Sequence, residues 1–232
     1  MGLTEQFGGL IPSFVLRRLL TVETAIEQGV TDFAAQTPTG ARVLDAGAGE
    51  GRYAQYFPGR RYVGIDLAVG DAAWDYSGID ALGDLAKLPF PDDTFDAALN
   101  IVTLEHVPEP LAVLREIARV LRPGGRLFLV AAAVGSPPGA GATLPLHPAR
   151  VDDCWSARRL GGRAPRADGR FFTLLARRLT ATLNYCQGGA RWLLFPFVAV
   201  VVGPLALLLP SLDVLDPKKD FTLAYRCVAR KP

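Results

Sequence analysis

Histidine and cysteine are scarce in this chain, with two and three copies among 232 residues. Cys154, Cys186 and Cys227 are far apart and form no Cys-x-x-Cys spacing, and only His106 and His147 could assist them. Neither a disulfide framework nor a zinc site is indicated, and no metal site is expected. A large charge of one sign is also missing, since the net charge is +2. Basic and aromatic residues do not interleave as they do in single-strand binders, so no nucleic-acid partner is expected. Residues 1–20 lack the order of charge, apolar run and small-residue cleavage site of a signal peptide, which makes a cytoplasmic body the expectation. A hydrophobic share of 50% is enough for one α/β domain over 1–232 with both sheet faces covered.

The most informative stretch is Val43-Leu44-Asp45-Ala46-Gly47-Ala48-Gly49-Glu50-Gly51-Arg52-Tyr53, an apolar strand running into a glycine turn with an acid at its start. Glycine lets backbone adopt positive φ and approach a ligand closely. A dinucleotide turn wants Gly or Ala at its sixth position, with the pyrophosphate on a helix N-terminus. Here the sixth position is Arg52, and Asp45 would repel a pyrophosphate but suit a cation. A second apolar strand, Arg61 to Asp66, ends in an acid 21 residues after Asp45, where a carboxylate can accept both ribose hydroxyls. Dehydrogenases share that acid. They lack the next block, Gly83-Asp84-Leu85-Ala86-Lys87-Leu88-Pro89-Phe90-Pro91-Asp92-Asp93-Thr94-Phe95-Asp96, which leads into Asn100 and Leu104-Glu105-His106.

The glycine turn with Asp45, and this block after it, resemble the class I S-adenosylmethionine-dependent methyltransferases of small-molecule type, methyltransferase domain family 11. The resemblance runs continuously from about residue 41 to 132. It implies a Rossmann-like three-layer α/β sandwich whose seven-stranded, mostly parallel sheet carries an antiparallel C-terminal strand. It implies S-adenosyl-L-methionine as cofactor, held by Asp45, Gly47, Ala48, Gly49, Gly51, Tyr53, Asp66, Leu67, Asp84, Leu85 and Asn100. In that reading Asp84 faces the adenine amino group, Leu85 packs beside the ring, and Asn100 ends its strand next to the methionine moiety. His106 is the candidate base, its plain alternative being a structural histidine at a helix start. Asp92 and Asp93 read as turn residues. The acceptor is expected to be a small molecule or a lipid; the oligomeric state is open.

Along the chain, Ser13 can cap a helix through about Phe33, with Val15, Leu19, Val22, Ile26, Val30 and Phe33 near one face, as an N-terminal helical lid over 1–36. Strands are expected near 42–45, 61–66, 79–83, 95–101 and 126–132, separated by segments long enough for crossovers. Pro110 opens a helix carrying Leu111, Leu114, Ile117, Ala118 and Leu121 at helical spacing, and Arg122-Pro123-Gly124-Gly125 ends it. Residues 220–228 form the final strand.

Residues 133–169 depart from this pattern. Ala, Gly, Pro and Arg supply 23 of the 37 residues, with no Phe, Tyr, Ile, Lys or Glu. The aromatic- and histidine-bearing acceptor loop of the family is absent. One choice of codons for Leu146 through Asp153, read one base later, encodes Tyr-Thr-Arg-His-Gly-Leu-Thr, the family's pattern. Arginine supplies 21 of the 25 basic residues, as a GC-rich gene would. Part of the segment therefore reads as translated out of frame, which would impair acceptor binding while sparing the cofactor site; the alternative is a natural flexible lid. Finally, 192–212 is an uncharged run of 21 residues preceded by Arg170, Arg177, Arg178 and Arg191. Pro196, Gly203, Pro204 and Pro210 are expected to break this insertion into short apolar pieces that lie on a membrane or pack as core or dimer contact.

Overall fold

The computed structural model describes residues 21–70, 73–132, 161–162, 166–169, 171–186, 189–216 and 223–232. The expected cap at Ser13, the first helical positions Val15 and Leu19, and most of 133–169 lie outside them. The chain divides into two compact units: 26–166 with 224–232, and 1–25 with 167–223.

The larger unit is built on a mixed sheet. Its strands are β1 (Arg42–Ala46), β2 (Arg61–Asp66), β3 (Ala81–Leu82), β4 (Phe95–Ile101), β5 (Leu121–Ala132), β6 (Gly161–Gly162) and, after the short β7 (Arg166–Asp168), β8 (Ala224–Arg230). They follow the order β3-β2-β1-β4-β5-β8-β6, seven strands along one path, with β7 an eighth off it where seven in all were expected. Strands β3, β2, β1, β4 and β5 are parallel, and β8 enters antiparallel, from Arg126 opposite Arg230 to Ala132 opposite Ala224. The inner strands are buried on both faces and so read as apolar runs rather than alternations. Val43 and Leu44 on β1, Ala98 and Leu99 on β4 and Leu127 and Val130 on β5 are fully buried.

Helices cover the two faces. Helix α1 (Thr21–Ala35) buries Val22, Ile26, Val30 and Phe33, the stripe read from the sequence. Phe33 packs on Phe128 with ring centroids 5.7 Å apart, and Gly29 permits this approach, because a Cβ there would lie 2.7 Å from the Phe128 ring. Helix α2 (Pro110–Val120) covers the opposite face, where Val113, Leu114, Ile117 and Val120 join Leu44, Ile65, Leu127 and Leu129 in one core. Pro110 opens it as expected, but β5 begins at once at Leu121, so Pro123 and Gly124 lie within the strand. A register shift between Phe95 and Ala97 accommodates this irregular start.

The remaining crossovers are short. Among the described residues, the helical elements between β1 and β4 are the 3-10 turns Ala54–Tyr56, Tyr76–Gly78 and Leu85–Lys87. The Leu88 to Asp96 block is held by α2. Arg119 pairs with Asp92 at 2.7 Å and Glu116 at 2.8 Å and donates to the carbonyls of Phe90 and Leu88, while Glu116 accepts from the Leu88 N–H. Asp93, with φ 54°, makes the turn and pairs with Lys231 at 2.8 Å.

In the smaller unit, α3 (Phe171–Tyr185) is followed by a 3-10 turn (Gly189–Leu194), α4 (Phe195–Leu208) and a second 3-10 turn (Leu209–Leu215). The expected break at Pro204 does not occur: the proline lies inside α4, whereas Pro196 and Pro210 each stand at a change of helical type. The first N–H groups of α3 have no partner within their own helix. Asp213 supplies one, accepting from Phe172 N at 2.9 Å, Thr173 N at 3.1 Å and the Thr173 hydroxyl, and Asp216 accepts from Phe171 N at 3.2 Å. This cap ties the end of the apolar segment to the start of α3. Asp213→Ala is expected to lower the stability of the smaller unit by about 0.5–2 kcal/mol. Hydrogen exchange should show faster exchange in 171–186 and unchanged protection in β1, β4 and β5; equal protection of α3 in both proteins would contradict the capping role.

Candidate cofactor site

The carboxyl ends of β2, β1 and β4 meet at the glycine turn. Asp45 is 1% exposed. One oxygen accepts from the Tyr62 hydroxyl on the neighbouring strand, and Oδ1 has no hydrogen-bond partner among the described residues. Burial pushes its carboxyl up to about 7; the Tyr62 bond opposes the rise and the Asp66 charge adds to it. The same contact, after burial, raises the Tyr62 phenol. Asn100, fully buried, donates to the Ala46 carbonyl at 2.7 Å, and its Oδ1 is also without a partner. Two acceptor atoms of different side chains are thus buried and unpaired near the end of β1.

The turn requires its glycines for two reasons. Gly47, Gly49 and Gly51 have φ of 90°, 54° and 73°, and a Cβ on Gly47 would sit 2.4 Å from the Thr103 hydroxyl. Gly47 and Ala48 both donate to the Ile65 carbonyl, at 2.8 and 3.1 Å. Asp66 accepts from the Gly49 N–H and from the Ala68 N–H, each at 2.9 Å, so its carboxylate shapes the turn as well as ending β2. Tyr53 is buried beneath the Arg52 guanidinium, which lies 5.0 Å from its ring centroid. Arg52 in turn reaches Glu27 of α1 at 3.2 Å.

Other expected residues are placed differently. Leu67 is exposed. Asp84 is exposed and caps the turn Leu85–Lys87, accepting from Ala86 N at 2.8 Å. Leu85, expected beside an adenine ring, belongs to the core cluster with Leu44, Ile65 and Leu114. His106 lies exposed at the end of the turn Leu104–His106.

Three residues enter the site that the sequence did not single out. Tyr62 is found only by pairing β1 with β2, which sets Tyr62 opposite Val43. Glu105 is buried, neither of its carboxylate oxygens has a hydrogen-bond partner among the described residues, and burial raises its carboxyl. Trp74 lies over the turn: a Cβ on Gly49 would be 3.5 Å from its ring, which stands 6.1 Å from Tyr76. The Asp75 N–H anchors this strap by donating to Glu50 at 3.1 Å.

This sheet order, with a glycine turn and acids at successive strand ends, is a Rossmann-like α/β arrangement. Residues 44–129 match the family Methyltransf_11, a methyltransferase domain. Among curated proteins, the chain is 36% identical over 111 residues to malonyl-(acyl-carrier protein) O-methyltransferase of Yersinia pestis, covering 44% of this chain and 40% of that one. It is 40% identical over 96 residues to fatty-acid O-methyltransferase of Mycolicibacterium smegmatis, covering 37% and 35%. The match thus spans well under half the length of these relatives. Among solved structures, geranyl diphosphate C-methyltransferase of Streptomyces coelicolor, in complex with geranyl diphosphate and S-adenosyl-L-homocysteine, is similar with TM-score 0.60 at 15% identity, over 94% of this chain and 83% of that one. The (4+2)-cyclase SpnF is similar with TM-score 0.57 at 22% identity, over 88% and 80%.

The raised carboxyl of Asp45 has a measurable consequence. Between about pH 4 and 7 the folded chain keeps a proton on Asp45 that the unfolded chain releases, so this residue's contribution to stability falls as pH rises through that window and levels off above it. The slope is at most about 1.4 kcal/mol per pH unit. Denaturant titrations should show the Asp45→Asn variant gaining stability relative to the parent as pH rises from 4 to 7; parallel profiles would contradict the buried-acid assignment.

Proposed function

We propose that the chain binds S-adenosylmethionine at the glycine turn and transfers its methyl group to a small-molecule or lipid-like acceptor. One observation carries the reading: a buried carboxylate with an unpartnered oxygen, Asp45, beside a turn of positive-φ glycines. A buried acid of this kind is costly unless a cation completes it, and the cofactor's methionine ammonium is such a cation. Asn100 Oδ1 offers a second acceptor. Gly47, Gly49 and Gly51 let the main chain approach, and Ala48 and Tyr53 support the turn from below. Asp66 keeps lone pairs beyond those engaged by Gly49 and Ala68 for ribose hydroxyls. Leu67 and Asp84 are exposed at neighbouring strand ends and complete the adenine side.

The cofactor supplies a methyl group on a positively charged sulfur, which an acceptor takes by in-line displacement. The protein's part is alignment and exclusion of water, with His106 the candidate base for a protic acceptor. Relatives named for fatty-acid and acyl-carrier substrates support an acyl or lipid-like acceptor. The exposed apolar segment of the smaller unit favours a second reading, a membrane-associated protein that holds the cofactor but turns over slowly.

Calorimetry tests the cofactor site directly. S-adenosylmethionine should bind, and Asp45→Asn should weaken binding at least about tenfold, or about 1.4 kcal/mol. Affinity should fall as pH drops below about 7, because protonated Asp45 no longer attracts the ammonium. No heat at millimolar cofactor would overturn the assignment. Given binding, methyl transfer from labelled cofactor to fatty acids or acyl thioesters separates an active enzyme from a binding protein.

A further inference from the structure

We infer that the helical hairpin of the smaller unit docks on the surface of an anionic lipid bilayer, lying in the interface without crossing it. The segment Phe195–Leu215 has a mean hydropathy of 2.2 and is only 11% buried. Leu193, Phe197, Val200, Val201, Leu208 and Val214 are each at least 60% exposed. Where α3 and α4 do bury side chains, the residues are small, including Ala176, Val202 and Ala206, so a close helix contact leaves the large apolar groups outside.

Length and composition alone would let this segment span a membrane. The Asp213 cap argues against spanning. It fastens the end of the segment to the first turn of α3, and α3 returns alongside α4 through a connection of under ten residues. A spanning α4 would therefore carry α3 into hydrocarbon with it. Arg177 and Arg178 are exposed on α3, and Arg177 pairs with Glu23 at 2.5 Å. Guanidinium groups and the Asp213 carboxylate within the hydrocarbon are expensive. A hairpin lying flat keeps them at headgroup level and buries only the apolar face.

Charge selects the lipid. From 171 to 212 the sequence has Arg177, Arg178 and Arg191 and no acidic residue, and the acids that follow, Asp213 and Asp216, are spent on capping α3. An arginine near an anionic surface strengthens binding about fivefold.

Flotation of the full chain with phosphatidylcholine vesicles, with or without phosphatidylglycerol, is the test. The protein should float with the mixed vesicles and several-fold less with the neutral ones, and should be released by alkaline carbonate. Val201→Asp should abolish flotation, and Arg178→Gln with Arg191→Gln should weaken it on anionic vesicles only. Both variants alter exposed positions, and thermal melts matching the parent would show that they fold. No flotation, equal flotation on both vesicle types, resistance to carbonate, or a dimer in size-exclusion light scattering that Val201→Asp dissociates would each overturn the proposal. Cofactor calorimetry reads the other unit, so failure of the cofactor assignment is separately visible.

Discussion

The larger unit is organised around one carboxylate that cannot reach water. Asp45 ends β1, which lies between β2 and β4, and its neighbours Leu44 and Ala46 are fully buried. A charge there must be met by the protein or by a ligand. Tyr62 from β2 meets one oxygen, and the other remains open. The chain must then leave β1 without covering that oxygen. It does so by turning through glycines whose N–H groups are drawn to the Ile65 carbonyl and the Asp66 carboxylate. Asn100 secures the other side by binding the Ala46 carbonyl. Groups on three strands thus fix the position of one unsatisfied acceptor, and a site built on strand ends is more precise than one built on loops.

The parts of this arrangement legible in the sequence were those with a local signature. Continuous apolar runs located the inner strands. The Pro110 start and the spacing of Leu114 and Ile117 located α2, and glycines at alternate positions located the turn. Asp45, Asp66 and Asn100 fell where strand ends were expected. Pairings between distant segments were not legible. Tyr62 acts through register, Trp74 through a strap folded back on Gly49, and Glu105 through burial that a polar residue does not advertise. The place of Leu85 in the core was not legible for a related reason: an apolar residue beside an expected ligand is equally well an apolar residue in the core. The crossovers between β1 and β4 were long enough for helices, yet the structure closes them with 3-10 turns, because loop length bounds an element without naming it.

SpnF, similar in fold and by its name a cyclase, illustrates why the site rather than the sheet must carry the functional argument. A sheet of this order positions a ligand at its carboxyl ends; what reacts there depends on groups outside the sheet. In this chain the end of β4 is followed by Glu105 and His106, adjacent residues with opposite environments, one buried and one exposed. A buried acid next to an exposed histidine keeps two candidate proton acceptors at the end of β4, and the acceptor's own acidity determines which is useful.

The smaller unit follows a different logic. Among its described residues few bulky apolar side chains are buried, and Phe197, Val200, Val201, Leu205 and Leu208 of α4 are exposed. What holds it is local: small residues that let two helices approach, and a carboxylate 40 residues downstream that satisfies the first N–H groups of α3. Pro204 fits the same logic. A proline inside a helix removes one N–H and leaves the carbonyl four residues before it unpaired, here that of Val200, whose residue is among the most exposed in α4. A carbonyl so placed can be met by water or by a lipid headgroup at the interface, whereas in the middle of a bilayer it would remain unsatisfied. The proline and the aspartate cap are thus both compatible with the interfacial placement proposed above.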